Sequence, residues 1–457
     1  MNASRRQALV LSSFILLSVV AGCSDRDING LDVARARIDP VVFDEFFDDD
    51  VYPQAFSGTD IYAITIDSVY AHNSAKSMKV AVPPQGSALG GYAGGVLTAV
   101  EARDLADFNA LTFYARSSVN STLNEVGFGN DNTGFSLYTA GRANLALTPT
   151  WTFVVVPIPS PKKLVAERGL FTYAEGFETA NPDGHTLWFD GIQYANLTNV
   201  ERVSASMPTV RKQYLIGSTA TIEGTTTRFN IDGAPVVVNH MSNYFDFFSS
   251  NPEVAVVEGN TIRVIGAGQD TITAKLDTLN VTGRVIITSF TPPTTAAPVP
   301  TVPAGDVISL YSDTYGTWPV DSFNPRWGGS TTQNDIFTID GNASIMYTTL
   351  NYVGIDFLSR PIDATQMTHL HLDVYAPIGT NFGVKPVVFD AGGTLLEQKE
   401  LTFTSTTVPP FAAGAWMSLE IPMADFGFTV PVDRISQLVL VTTDAKLVLV
   451  DNIYWHR

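Results

Sequence analysis

The sequence predicts an all-β protein built from antiparallel two-sheet units, one of which occurs twice. Short alternating runs bounded by Gly, Pro, Asn and Asp recur throughout, and long amphipathic helical periods are almost absent. Two distant stretches, LWFDGIQY at Leu187–Tyr194 and VLVDNIYW at Val448–Trp455, share one pattern with an Asp in mid-strand, Asp190 and Asp451. Upstream, LADFNALTFYARS at Leu105–Ser117 is similar to IDATQMTHLHLDVYAP at Ile362–Pro377, and WTFVVVPIP at Trp151–Pro159 to WMSLEIPM at Trp416–Met423. With 45% hydrophobic and 16% charged residues the chain is globular, and its length suits several domains.

Arg5 and Arg6 precede the apolar run Ala8–Ala21, which is too short for a stable membrane span and stops at Val20-Ala21-Gly22-Cys23. This resembles a bacterial lipoprotein signal. The resemblance implies removal of residues 1–22, lipidation of Cys23 and anchorage in a lipid bilayer. Ser24 beside it implies sorting to the outer membrane; which face the protein takes is not written in these residues, and the cell surface is the face expected. An ordinary secretory peptide with an incidental cysteine is the rival reading. Cys23 is the only cysteine, so no other thiol is present for a disulfide, a nucleophile or a cysteine metal site. Loss of Arg5 and Arg6 takes the net charge from −18 to −20. Such a surface repels polyanions, which disfavours nucleic acid and sulfated or uronate-rich glycans and suits a neutral ligand.

Composition marks the boundaries. Residues 23–39 read as a polar tether, with a reach of about 20 Å if flexible. Residues 40–197 form the first copy of the repeated unit and 306–457 the second. Residues 200–289 form a shorter unit between them. Residues 290–305 are a Pro/Thr-rich linker whose five prolines favour an extended spacer of roughly 3 Å per residue.

The closing pattern apolar-x-apolar-Asp-(Gly/Asn)-Ile-x-aromatic resembles the last strand of β-jelly-roll carbohydrate-binding modules. VISLYSDTYGTWPVDSFNPRWGGSTT at Val307–Thr332, with NYVGIDF at Asn351–Phe357, resembles the non-catalytic modules of marine bacterial laminarinases of glycoside hydrolase family 16 and related glycan-binding lipoproteins. The first copy, with FDEFFDDD at Phe43–Asp50 and GGYAGG at Gly90–Gly95, resembles the broader jelly-roll families more loosely. SSNPEVAVVEGNTIRVIGAGQDTITAKL at Ser249–Leu276 resembles the group-2 bacterial immunoglobulin-like domain, whose usual role is a stiff spacer. The fold expected from these resemblances is two β-jelly-roll sandwiches separated by an immunoglobulin-like β-sandwich.

Aromatic rings suit sugars because the C–H face of a pyranose carries positive partial charge and stacks on a π face, while nearby polar groups bond its hydroxyls. Tyr315, Trp318, Trp327 and Tyr352 sit in Gly-, Pro- and Asn-rich contexts and are the candidate ligand-binding residues of the last unit. Tyr52, Phe56, Tyr62 and Tyr92 are those of the first. The alternative for each is a place in the core. Jelly-roll carbohydrate-binding modules commonly hold a structural Ca²⁺ between opening and closing strands. That resemblance pairs Asp44 or Glu45 with Asp190, and Asp313 with Asp451, as calcium ligands. The alternative is an Asp accepting backbone hydrogen bonds at a strand irregularity.

Catalytic signatures are missing. No Glu-x-Asp-x-x-Glu run supplies the carboxylate pair of a family 16 hydrolase, and FDEFFDDD has the wrong spacing. No Gly-x-Ser-x-Gly or P-loop occurs. His369 and His371 share one strand face, which permits a metal, but no further His or Cys lies nearby in sequence, so a core or surface pair is expected. The reading is a non-enzymatic, lipid-anchored protein that captures polysaccharide, laminarin-type β-1,3-glucan above all, for hydrolysis and uptake by glycoside hydrolases and an outer-membrane transporter. A surface adhesin or structural lipoprotein, and an unrecognised polysaccharide-active enzyme, are the alternatives.

Overall fold

A computed structural model describes residues 36–457; the signal segment, Cys23 and the tether up to residue 35 lie outside the described residues. The first unit opens with β1 (Val41–Phe43), β2 (Val51–Ala55), β3 (Ile64–Asp67) and β4 (Ser77–Val82). It continues with β5 (Tyr92–Arg103), β6 (Ala110–Ser117), β7 (Ser121–Phe128) and β8 (Ala140–Leu147). It closes with β9 (Thr152–Pro157), β10 (Glu167–Gly176) and β11 (His185–Ala195). One sheet runs β3-β4-β11-β6-β9, with β1 also on β11, and the other runs β8-β7-β10-β5-β2. From β4 to β11 the chain switches sheets so that first, eighth, third and sixth strands adjoin, facing second, seventh, fourth and fifth. That order is a jelly roll, as the sequence predicted.

The middle unit comprises β12 (Val200–Leu215), β13 (Thr219–Thr221), β14 (Thr225–Ile231), β15 (Ala234–His240) and β16 (Asp246–Ser249). It ends with β17 (Ala255–Glu258), β18 (Thr261–Val264), β19 (Gly268–Leu276) and β20 (Leu279–Phe290). The strands β16-β19-β20-β12-β14-β15 face the small sheet β13-β18-β17.

The last unit begins with β21 (Val307–Tyr311), β22 (Gln333–Ile339), β23 (Asn342–Thr348) and β24 (Tyr352–Asp356). It continues with β25 (His369–Tyr375), β26 (Asn381–Phe389), β27 (Leu395–Gln398) and β28 (Leu401–Thr404). It closes with β29 (Trp416–Pro422), β30 (Ile435–Val441) and β31 (Leu447–His456). Its sheets run β22-β23-β31-β25-β29 and β24-β30-β26-β27, with β21 on β31 and β28 on β26. The repeat read in the sequence is therefore a topological repeat: β6 and β25, β9 and β29, β11 and β31 occupy equivalent places. Alternation turns Leu370, Leu372 and Val374 of β25 inward against Trp455 and Phe357. Each such large apolar side chain contributes about 1.5–3 kcal/mol by leaving water.

The units touch more than a string of spaced domains requires. β15 pairs with β8 through Asn239–Gly141 and His240–Ala140, which fuses the middle unit's sheet to the first unit's. One continuous core runs through both, including Tyr244 and its neighbour Tyr138. Leu215 and Phe290, at the far end of the middle unit, pack on Tyr375, Leu447, Leu449 and Trp416 of the last.

The linker departs from the expected free spacer. Its carbonyls at Thr295, Pro298 and Val302 accept hydrogen bonds from Trp416 Nε1 (2.9 Å), Asn452 Nδ2 (2.9 Å) and the Tyr315 hydroxyl (2.7 Å). Proline removes backbone donors but keeps acceptors, so a Pro-rich segment is matched by side-chain donors on a sheet face.

The acidic run FDEFFDDD is largely structural. Asp48 and Asp50 grip the guanidinium of Arg103, a fully buried side chain that also donates to the carbonyls of Asp39 and Val41. Glu167, at the start of β10, accepts the amides of Arg168 and Gly169 at 3.0 Å each inside the first unit. Burial raises its carboxyl from 4.5 to about 7. The folded state then keeps a proton that the unfolded chain has released, so stability falls as pH climbs from about 4.5 to 7 and stays lower above that. Glu167→Gln keeps the accepting oxygen. It is expected to stabilise the protein by about 3 kcal/mol at pH 8 and to match wild type at pH 4. Equal gains at both pH values in denaturant melts would refute this.

Candidate functional site

The second sheet of the last unit presents an outward face that, among the described residues, is lined by that unit alone. Along β26, Lys385 and Val387 point outward while Val384 and Val388 enter the core, and the extra residue of a bulge lies on the facing strand β30, between Ile435 and Gln437. On β30, Gln437, Val439 and Val441 point the same way. With Trp327, Tyr352, Phe389, Leu395 and Gln398 they line a cleft of 390 Å³. It crosses the four strands β24, β30, β26 and β27, roughly 14 Å at about 4.8 Å per spacing, room for a short oligosaccharide.

Trp327 is half-buried and lies against Gly354 of β24, where a Cβ would run into the indole. The missing side chain at Gly354 is what seats the ring on the sheet. The loop that carries Trp327 is tied down on both sides. Ser330 and Thr332 hydroxyls donate to the Tyr352 carbonyl at 2.8 and 2.7 Å, and Asn351 bonds the Thr331 amide and the Gly329 carbonyl at 2.9 Å each. The Tyr352 hydroxyl donates to the Gly328 carbonyl. The platform is thus held in place before any ligand arrives, which lowers the ordering cost of binding.

Polar groups stand around it. Lys385 pairs with Glu400 at 2.9 Å, and Gln437 Nε2 donates to Asp356 at 3.1 Å. Among the described residues Lys385 is the only charged one lining the cleft, so the strongly negative chain offers here a wall of aromatic, aliphatic and amide groups. Cavities of 480 and 500 Å³ lie at the two junctions between units, but neither is lined by a tryptophan or tyrosine.

The other predicted aromatics separate. Tyr315 is 9% exposed, with its ring edge-on to Tyr454 and its hydroxyl on the linker. The Gly-rich context at Tyr315 is thus a turn folded back onto the sheet, and the residue stands apart from the cleft lining. Trp318 packs partly against the core and donates its Nε1 to the Arg360 carbonyl at 2.7 Å, away from the cleft lining.

In the first unit, Tyr92 and Gly94 stand opposite Gly176 and Ala174 of β10, as Tyr352 and Gly354 stand opposite Val441 and Val439 of β30. Tyr92 and Phe56 cover Gly94 much as Trp327 covers Gly354. The counterparts of Lys385 and Val387 are Glu125 and Gly127, so this face carries smaller side chains. Tyr52 and Tyr62 are exposed, Tyr52 on the edge strand β2.

The repeated Asp residues sit at equivalent bulges, each followed by a left-handed residue, Gly191 or Asn452. Asp190 is buried. One oxygen accepts the His72 amide (2.6 Å) and the Ser74 hydroxyl (2.9 Å), and the other has no hydrogen-bond partner among the described residues. Its pKa is raised by burial and by the charge of nearby Asp44. Glu45 accepts the Ala75 amide at 2.8 Å. Asp451 accepts the Ser344 hydroxyl and the Asn452 amide; burial, with Asp313 and Asp373 nearby, lifts it to about 6. Asp313 accepts the Ala343 amide at 2.8 Å, next to Asn342, whose buried amide oxygen has no partner. Both readings of these Asp residues thus have a basis: they satisfy backbone donors, and they also gather anionic oxygens around an unpaired acceptor.

Sequence reasoning missed the cleft floor, Gly354 as the seat of Trp327, and a cluster on the first unit's other sheet. There Trp188, Tyr70 and Trp151 surround Arg116, whose guanidinium carbon lies 4.5 Å from the Tyr70 ring. The signal for the floor was present in the outward residues of β26 and β30. What was lacking was the pairing of the two strands.

No protein-family model matches the chain, and no curated protein matches it. Solved structures similar to it include a family 30 carbohydrate-binding module, 17% identical over 38% of this chain and 91% of that one, with a TM-score of 0.24. Another is the family 11 carbohydrate-binding module from Clostridium thermocellum in complex with a β-1,3-1,4-mixed-linked tetrasaccharide, 18% identical over 35% of this chain and 97% of that one, TM-score 0.25. A β-1,2-glucanase from Parabacteroides distasonis is 12% identical over 56% of this chain and 40% of that one, TM-score 0.25.

Proposed function

We propose that this protein binds polysaccharide without cleaving it, through the cleft of the last unit, and that its ligand is a neutral β-glucan of the laminarin type. The observation that carries the reading is the Trp327–Tyr352 platform set on Gly354 at the edge of a four-strand groove floored by Val and Gln. One face of each sugar would stack on the indole while Lys385, Gln398 and Gln437 bond hydroxyls. Among the described residues that line the cleft there is no carboxylate, whereas glycoside hydrolysis uses a pair flanking the scissile bond. In this reading Cys23 anchors the protein to the outer membrane facing outward, where captured glycan passes to glycoside hydrolases and a transporter. The test is migration of the protein in native gels containing laminarin alongside oligosaccharide profiles of the incubated glucan. Retardation with an unchanged profile is expected; time-dependent release of reducing ends would overturn the assignment.

The all-oxygen sets around Asp190 and Asp451 fit a hard cation, given the unpaired Asp190 oxygen and the raised carboxyl of Asp451. In the proposed role Ca²⁺ would be held by Asp190 with Asp44 or Glu45, and by Asp451 with Asp313, fastening the opening segment of each jelly roll to its closing strand. A cation that binds only the folded state stabilises it by mass action. Chelation is expected to lower the melting temperature, and Asp451→Asn to abolish the response of the last unit. Identical melts in chelator and in excess Ca²⁺ would leave these residues as structural acids.

A further inference from the structure

Three of the chain's six histidines meet on the outer face of the last unit's first sheet, on the side of the sandwich away from the cleft. Strand register assembles them. His369 of β25 stands directly opposite His456 of β31, and His371 opposite Glu420 of β29. One nitrogen from each of His369 and His456 and one carboxylate oxygen of Glu420 all lie within 4.8 Å of one another. The chain positions of these residues, far apart in sequence, concealed the cluster.

We propose that His369, His456 and Glu420 form a binding site for a divalent transition-metal ion of the zinc type. Two imidazoles and a carboxylate are a donor set that such ions take, with water completing the coordination, while Ca²⁺ and Mg²⁺ favour oxygen alone. The hydrogen bonds already orient the rings. His456 Nδ1 lies 2.9 Å from the Arg457 main-chain oxygen, which can only accept, so Nδ1 holds a proton and Nε2, facing Glu420 Oε1, is the nitrogen left to offer a lone pair to an ion. Thr368 Oγ1 donates to the His456 carbonyl at 3.3 Å and so accepts from His369 Nδ1 at 2.9 Å, again leaving Nε2 as the lone-pair nitrogen.

His371 serves as a positioning residue. Its Nδ1 bonds Glu420 Oε2 at 2.7 Å and its ring stacks on Tyr454 with centroids 4.6 Å apart, which leaves Oε1 for the ion. The Glu420 side chain is 46% exposed and His456 12%, so the ion enters from the carboxylate side. It takes the place of the Glu420–His456 contact, and any proton held there leaves to solvent. Bound there, it clips the C-terminal strand to β25 and β29.

The test is calorimetric titration of the mature chain, free of any affinity tag, with Zn²⁺, and visible spectroscopy with Co²⁺. One equivalent of Zn²⁺ should bind in the presence of excess Ca²⁺, raise the melting temperature and produce ligand-field bands with Co²⁺. His369→Ala/His456→Ala should lose that equivalent, and His371→Ala should weaken it about tenfold or more. Glu420→Gln, which keeps both histidines and the side-chain shape, answers the same question if the alanine variants fail to fold. Laminarin binding is expected to be unchanged in all of them, which separates this site from the cleft. Absence of zinc binding by the wild-type chain, or binding unchanged in Glu420→Gln and the double variant, would overturn the proposal.

Discussion

Replacing Trp327 with Ala is expected to weaken binding of laminarin by about thirtyfold or more, the effect of removing a stacking residue worth about 2 kcal/mol. The fold should persist, because the indole rests on the outside of the sheet at Gly354 and lies outside the buried core of the unit. Gly354→Ala sharpens the test. A methyl group there occupies the seat of the ring while leaving Trp327 in the chain, so affinity should fall although the aromatic is still present. A structural role for the indole would instead show in the melt of Trp327→Ala. Wild-type affinity in both variants, or loss of cooperative unfolding in Trp327→Ala, would remove Trp327 from the site.

Arg103→Ala should destabilise the protein by about 3–5 kcal/mol. The fully buried guanidinium neutralises Asp48 and Asp50, and truncation leaves those carboxylates facing each other with the Asp39 and Val41 carbonyls unmet. The loss reflects the stranded charges more than the pair's net contribution. Arg103→Met combined with Asp48→Asn and Asp50→Asn should therefore recover much of it. Chemical denaturation followed by intrinsic fluorescence reads both. A loss below about 1 kcal/mol in Arg103→Ala would mean that Arg37, which also pairs with Asp39, Asp48 and Asp50, suffices to hold the run.

How far the site was legible depended on whether each residue's role was local. Trp327 stood out because Pro325, Gly328 and Gly329 mark a loop, and backbone conformation is written in neighbouring residues. Tyr315 has a similar context, yet its ring is spent on Tyr454 and the linker, a contact made across more than a hundred residues of chain. Asp190 and Asp451 were visible as a repeated letter. Their neighbours Asp44 and Asp313 followed from resemblance, whereas Asp373, beside Asp451, became visible only through the register of β25 on β31.

By itself the sequence determined the all-β character, the duplicated unit, its strand repeat and the loop-borne tryptophan, since alternation, turn residues and internal similarity are properties of short segments. Only the tertiary structure decided that the middle unit shares a sheet and a core with the first, that the linker is bound to the last unit, and that His369, Glu420 and His456 meet. Those are matters of strand pairing between distant residues. Period-two alternation tells which face a side chain takes but not which strand lies beside it.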